Sequence, residues 1–228
     1  MSFVFDNRSS DSPFVEVIWS SQSGSPEITG TSFISSADSH IEMVVTKQQD
    51  KITFTMRGPE TKASPAPIPE NAEWLGIIFK HGTFMPSLPT SKLVDGGINL
   101  PEAAGQSFWL NGSAWQFPNF ENADTFVARL VREGLLAYEP IVEAALQGHV
   151  KDMSLRSVQR RFLRATGMTH GTIYQIQRAR RAMTLLQQGV SILDTVDQAG
   201  YADQPHLTRS MKHLIGQTPA QLLRVSKP

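Results

Sequence analysis

Two short stretches of this chain carry guanidinium, amide, imidazole and ammonium groups at helical intervals. The first holds Arg156, Gln159, Arg160 and Arg164; the second holds Gln204, His206, Arg209 and Lys212, and Lys151 stands just upstream of the first. Arginine and glutamine can bond bidentately to the edges of guanine and adenine, while further arginine or lysine can hold phosphates. The chemistry on offer is hydrogen bonding to a polyanion, with no covalent step. Other chemistries are closed or unsupported. None of the 228 residues is cysteine, which excludes disulfides, zinc-thiolate sites, iron-sulfur clusters and a thiol nucleophile. His40 and Glu42 fall on one strand face with His81 far along the chain, short of the three converging ligands a metal site needs. Trp109-Leu110-Asn111-Gly112-Ser113 lacks the glycine pattern of a nucleophile elbow, and no phosphate-binding glycine loop occurs. No catalytic residue, cofactor or metal site is expected.

The elements that must position these groups repeat. At an offset of 49 residues, Ser154 pairs with Asp203, Val158 with Leu207, Arg160 with Arg209, Phe162 with Met211, Gly167 with Gly216 and Thr169 with Thr218. Ser and Asp are N-cap types, the apolar pairs are core positions four apart, and glycine stops a helix. Pro205 suits a first turn, where no N–H donor is required. Leu155, Val158 and Phe162 are expected to form the inward stripe of the first copy. A shorter helix precedes each copy: Pro140 to Gln147, and Ile192 to Ala199 behind Ser191. Helix, tight turn, helix is the unit whose second member enters the DNA major groove. Between the copies, Ile173, Ile176, Ala179, Met183 and Leu186 line one face of a helix that could space two recognition helices about one DNA turn (roughly 34 Å) apart.

Charge divides the chain as the pattern does. Residues 1–138 hold 9 basic and 15 acidic residues, a net −6; residues 139–228 hold 12 and 6, a net +6, so the overall zero is a cancellation. Before residue 120 the chain alternates β-branched and aromatic runs, Phe14–Trp19, His40–Val45 and Lys51–Met56, with Gly/Pro/Ser turns. The expected fold is an α+β two-domain chain. A β-rich sandwich or small barrel spans 1–121, a linker helix 122–138, and an all-α domain with two helix-turn-helix units 139–228. Trp74, Phe79, Phe84, Trp109, Trp115 and Phe117 could line an apolar pocket in the first domain, or form its core. The start lacks a signal-peptide pattern and no apolar run could span a bilayer, so a cytoplasmic protein without membrane contact is expected.

Residues 139–226 resemble the AraC-type (AraC/XylS) bacterial transcription regulators. The resemblance rests on Ser154-Leu155-Arg156-Ser157-Val158-Gln159-Arg160-Arg161-Phe162, Gly167, Arg178-Ala179-Arg180-Arg181-Ala182, Gly200 through Arg209, and Gly216-Gln217-Thr218-Pro219. It implies base or phosphate contacts at Arg156, Gln159 and Arg160 in the first unit and Gln204, His206 and Arg209 in the second. Arg164, Lys151 and Lys212 are expected at phosphates. Where the family carries an apolar residue followed by alanine, this chain has Thr195-Val196, a hydroxyl at a core position and a larger side chain at a helix contact. Met211 stands where an aromatic is usual. The resemblance further implies promoter or operator DNA as partner, an N-terminal domain that binds a small-molecule effector or makes a homodimer, contact with RNA polymerase, and no enzymatic activity. Two alternatives stay open: a helical adaptor for an acidic protein partner, and a metal-dependent β-barrel enzyme fused to a DNA-binding module.

Overall fold

A computed structural model describes residues 4–23, 32–151 and 153–225. The chain is β-rich through residue 116 and largely helical beyond, as its periodicities require. Strands β1 (Val4–Arg8), β2 (Val15–Gln22), β7 (Ala72–Phe79), β4 (Glu42–Gln48), β5 (Lys51–Arg57) and β9 (Gly97–Asn99) lie side by side, in that order, in one antiparallel sheet. Cross-strand register places Val45 opposite both Phe54 and Leu75, and Met43 opposite both Met56 and Ile77. All six are buried on one face, so a one-residue slip would expose the whole set. On that face Phe54 meets Phe108 at 4.4 Å between ring centroids and Phe126 at 5.9 Å. Phe108 comes from a small sheet of β10 (Glu102–Ala103), β11 (Ser107–Leu110) and β12 (Ser113–Gln116), and Phe126 from α1 (Ala123–Arg132).

α1 covers part of the stretch expected as a linker, but it buries Ala123, Phe126, Val127 and Leu130 in this same core. Its apolar stripe is spent on the sheet, so it is a core element and not a connector. After it, β13 (Ala137–Tyr138) pairs with β8 (Thr83–Phe84). Of the aromatics that could have lined a pocket, Phe79 and Trp115 are core, Phe117 packs against them, and Trp109, alternating with buried Phe108 and Leu110, is 47% exposed. Phe84 borders a shallow cleft that holds none of the other five. The His40 and His81 rings lie 4.0 Å apart at a tilt of 40°, while Glu42 pairs with Arg57 at 3.4 Å. Among the described residues no group of three or more His, Cys, Asp or Glu could hold a metal ion.

The chain packs into two compact bodies whose division departs from the expected 1–121, 122–138 and 139–228. Over the described residues the first takes 4–23, 40–59, 67–151 and 153–169; the second takes 32–39, 60–66 and 170–225. The first body thus includes the helices α2 (Pro140–Leu146) and α3 (Leu155–Thr166). In the second, α4 (His170–Gln187) packs against α5 (Ile192–Gln198), α6 (Gln204–Leu214) and α7 (Pro219–Val225), burying Ile173, Ile176, Ala179, Ala182 and Leu186. Joined to them are β3 (Ser32–Ser35) and β6 (Ser64–Pro67), paired with each other and covalently part of the N-terminal half.

Candidate nucleic-acid interface

In the first helix pair, α2 opens on Pro140 behind Glu139, whose carboxylate accepts from Ile141 N at 3.3 Å. α3 opens on Ser154, whose hydroxyl accepts from Ser157 N at 3.3 Å, and stops at Gly167 in the left-handed region, φ +71°. Phe162 and Ala165 are buried, Val158 is half-buried, and Arg156, Gln159 and Arg160 are exposed. The inward stripe needs one correction: Leu155 is 80% exposed. As the first helical residue it stands ahead of the turns that meet other elements, so the spacing that places Val158 and Phe162 inside does not reach it.

α3 also packs against β8 and the 3-10 turn Thr90–Lys92, with Thr90 Oγ1 donating to Ala165 O at 3.3 Å. Arg164, on its last turn, sits over the Phe84 ring at 5.6 Å. Arg161 is tied down by two parallel hydrogen bonds to Glu139, Nε to Oε2 at 2.8 Å and Nη2 to Oε1 at 2.6 Å; the hydrogen bond holds its pKa above the ordinary arginine value. Glu139 N in turn donates to Gly82 O at 2.8 Å, so one residue caps α2, anchors α3 and joins both to the β8 turn. Beside it Tyr138 donates to Glu143 at 2.6 Å, and burial, with Glu143 second, pushes its phenol pKa up to about 12. Lys151 is exposed.

The second pair follows the same local rules. Ser191 accepts from Asp194 N at 3.1 Å to open α5, and Asp203 accepts from His206 N at 2.6 Å to open α6, with Pro205 in the first turn. Leu207, Met211 and Leu214 are buried; Gln204, Arg209 and Lys212 are exposed. Lys212 Nζ donates to Gly216 O at 3.1 Å, within reach of solvent. Thr195 lies fully buried, its hydroxyl without a partner among the described residues, as the Thr195-Val196 pair foreshadowed.

His206 is only half-exposed, because Arg178 on α4 reaches it. The guanidinium has donors only, so Nη2 donates to His206 Nε2 at 3.3 Å, while Nη1 donates to Gly200 O at 3.2 Å and the group lies over Tyr201 at 4.1 Å. The edge of His206 meets the Tyr201 ring at 5.1 Å. Outward spacing marked His206, but it could not show that a residue 28 positions upstream would draw the ring inward. Arg178 and Arg161 belonged to undifferentiated basic runs in the sequence; only the fold separates them from Arg156 and Arg160.

Residues 150–224, from just ahead of α3 into α7, match the model of a family described as a helix-turn-helix domain. No curated protein and no solved structure matches the chain. No described helix is long and apolar enough to cross a membrane. The match, with the capped helices α3, α5 and α6 inside it, supports an AraC-type, DNA-binding helix-turn-helix domain in residues 150–224.

Proposed function

We propose that the chain is a sequence-specific transcription regulator in which α3 and α6 each enter a major-groove segment of promoter DNA. One observation carries the reading: inside a matched helix-turn-helix domain, both helices are side-chain capped, bury one face, and hold Arg and Gln free on the other. Arg156, Gln159 and Arg160 read bases from α3; Gln204 and Arg209 read them from α6, with His206 at the edge of that contact. Lys151, Arg164 and Lys212 hold phosphates. The N-terminal half binds a small-molecule effector or a second copy of the chain, and RNA polymerase is the further protein partner.

Duplexes selected from a random pool by the full chain test this. Affinity should fall steeply with salt, with a log–log slope of about −0.9 per phosphate neutralised. Arg160→Ala should weaken binding about tenfold and relax preference at one base pair. A protein that binds no duplex even at low salt would refute the reading. For the N-terminal half, a thermal-shift screen of metabolites should find a stabilising compound, since a ligand at 100 times its Kd adds about 2.7 kcal/mol; sedimentation tests the homodimer.

A further inference from the structure

The second body contains two segments that the chain contributes from its N-terminal half, Ser32–Ser39 and Glu60–Ala66, and both bond to the end of α6. The last carbonyls of a helix have no partner within it. Here Ala37 N donates to Leu214 O at 2.7 Å and Ala63 N to His213 O at 2.8 Å, so two of those carbonyls are satisfied by residues far away in sequence. Ser36 Oγ donates to Ile215 O at 3.4 Å. Asp38 and Glu60 exchange backbone hydrogen bonds, N to O at 3.1 and 2.7 Å, which ties the two segments into one clip. The clip is fixed to α4 as well: Arg180 Nε donates to Ala37 O at 3.0 Å and Nη2 to Asp38 Oδ2 at 2.6 Å. At Gly216 there is no room for a side chain, because a Cβ would lie 2.4 Å from Ile34 Cγ2.

From this geometry we infer that Asp38, through Arg180 and the clip, is a positioning residue for the second recognition helix. The inference rests on α6 reading DNA. The clip's hydrogen bonds to His213 O, Leu214 O and Ile215 O fall at the C-terminal end of α6, and Gln204 and Arg209 stay exposed, so it sets the helix without covering its reading face. Asp38 is an anion already paired with Arg180, so it offers a phosphate no attraction. Removing an acid by simple electrostatics would tighten binding to a polyanion, so a loss of affinity on its removal is the signature of positioning.

The test uses full-length protein and a selected duplex, with the segment read by α6 identified by the loss of preference in Arg209→Ala. Asp38→Ala should weaken binding to the intact duplex about fivefold. On a duplex scrambled in the α6 segment it should bind as the parent does, which also shows that the variant is folded. The charge exchange Asp38→Arg with Arg180→Asp should recover most of the loss. Equal or tighter binding by Asp38→Ala overturns the inference. If the parent protein binds no duplex, the DNA reading has failed, and hydrogen exchange still decides the clip. The Ile215 and Gly216 amides, which donate to Met211 O, should then exchange several-fold faster in Asp38→Ala, and unchanged rates overturn it.

Discussion

Replacing Gly167 with alanine should cost the first body about 2–5 kcal/mol, and Gly148 provides its own control. Both glycines have φ +71° and both follow a helix of the first helix pair. An L-residue in that region loses about 1–2 kcal/mol from the approach of Cβ to the following carbonyl. A Cβ on Gly148 would meet nothing within 4 Å, so Gly148→Ala measures that loss alone. On Gly167 it would lie 3.0 Å from both Thr90 Cγ2 and Val94 Cγ2 and 3.1 Å from Thr90 O. Thr90 is buried and hydrogen-bonded to Ala165 O, so it has little room to yield, and overpacking adds about 1–3 kcal/mol. The assay is thermal unfolding followed by tryptophan fluorescence. All four tryptophans, at 19, 74, 109 and 115, belong to the first body, so the signal reports that body without assuming that both unfold together. At about 2–4 °C per kcal/mol, Gly148→Ala should lower the midpoint by about 2–8 °C and Gly167→Ala by roughly twice that. Equal shifts would mean that the end of α3 does not rest on Thr90 and Val94.

Three further outcomes are expected. Thr195→Val should stabilise the second body by about 1 kcal/mol, since it keeps the shape and removes a buried hydroxyl without a partner; a calorimetric midpoint that stays or falls would show that the hydroxyl is satisfied. Burial raises the pKa of Asp124, but hydrogen bonds from Ser10 and Arg8 and the charge of Arg8 outweigh it, so the folded value lies below the unfolded one. Stability from this group is complete above about pH 5 and lost as pH falls through about 3.9 toward the folded value; Arg8→Ala should shrink that acid-side loss by up to about 1 kcal/mol after solvent screening, and an unchanged acid limb would count against the pair. Tyr138 has the opposite sign: its folded pKa of about 12 exceeds the unfolded value near 10, so its contribution is complete below pH 10 and fades as pH rises through 12. In an absorbance titration the tyrosine ionisation near pH 12 should vanish in Tyr138→Phe, and its persistence would assign the shift elsewhere.

Local rules made the helix ends legible. Ser154, Ser191 and Asp203 cap because a side-chain oxygen reaches the N–H three residues on, a relation contained in a few consecutive residues. Gly148, Gly167, Gly189, Gly200 and Gly216 all take positive φ for the same local reason. β5 follows from alternation, β4 from its β-branched run, and Thr195 from a hydroxyl at a helix position that faces inward. Side chains at the edges of periodic patterns were less legible: Leu155 has the spacing of a core residue but is exposed on the first turn of α3. What depends on distant partners left no mark in the sequence. The Ala37 N–H bonded to the carbonyl of Leu214, and α1 buried under the sheet, are settled by long-range packing, and no window of consecutive residues contains both participants.

The zero net charge takes its meaning from how the fold sorts its arginines. Arg8 pairs with Asp124, Arg57 with Glu42, Arg161 with Glu139 and Arg180 with Asp38, while Arg178 is held by Tyr201, Gly200 and His206. Each of these charges has an internal partner that a phosphate would have to displace. Arg156, Arg160 and Arg209 have no carboxylate partner among the described residues and are exposed on α3 and α6. A run such as Arg160-Arg161 therefore contains two kinds of cation, one available to a ligand and one already used to hold α3 to Glu139. The Asp38–Arg180 pair shows in addition that an acid of the N-terminal half is one of the contacts that assemble the second body. Cutting the chain at Tyr138 would raise the net positive charge of the remainder and strengthen its nonspecific attraction to DNA. The same cut would strip α6 of the donors that satisfy His213 O and Leu214 O. Electrostatics and geometry thus pull such a fragment in opposite directions: attraction to any duplex rises while discrimination by α6 falls.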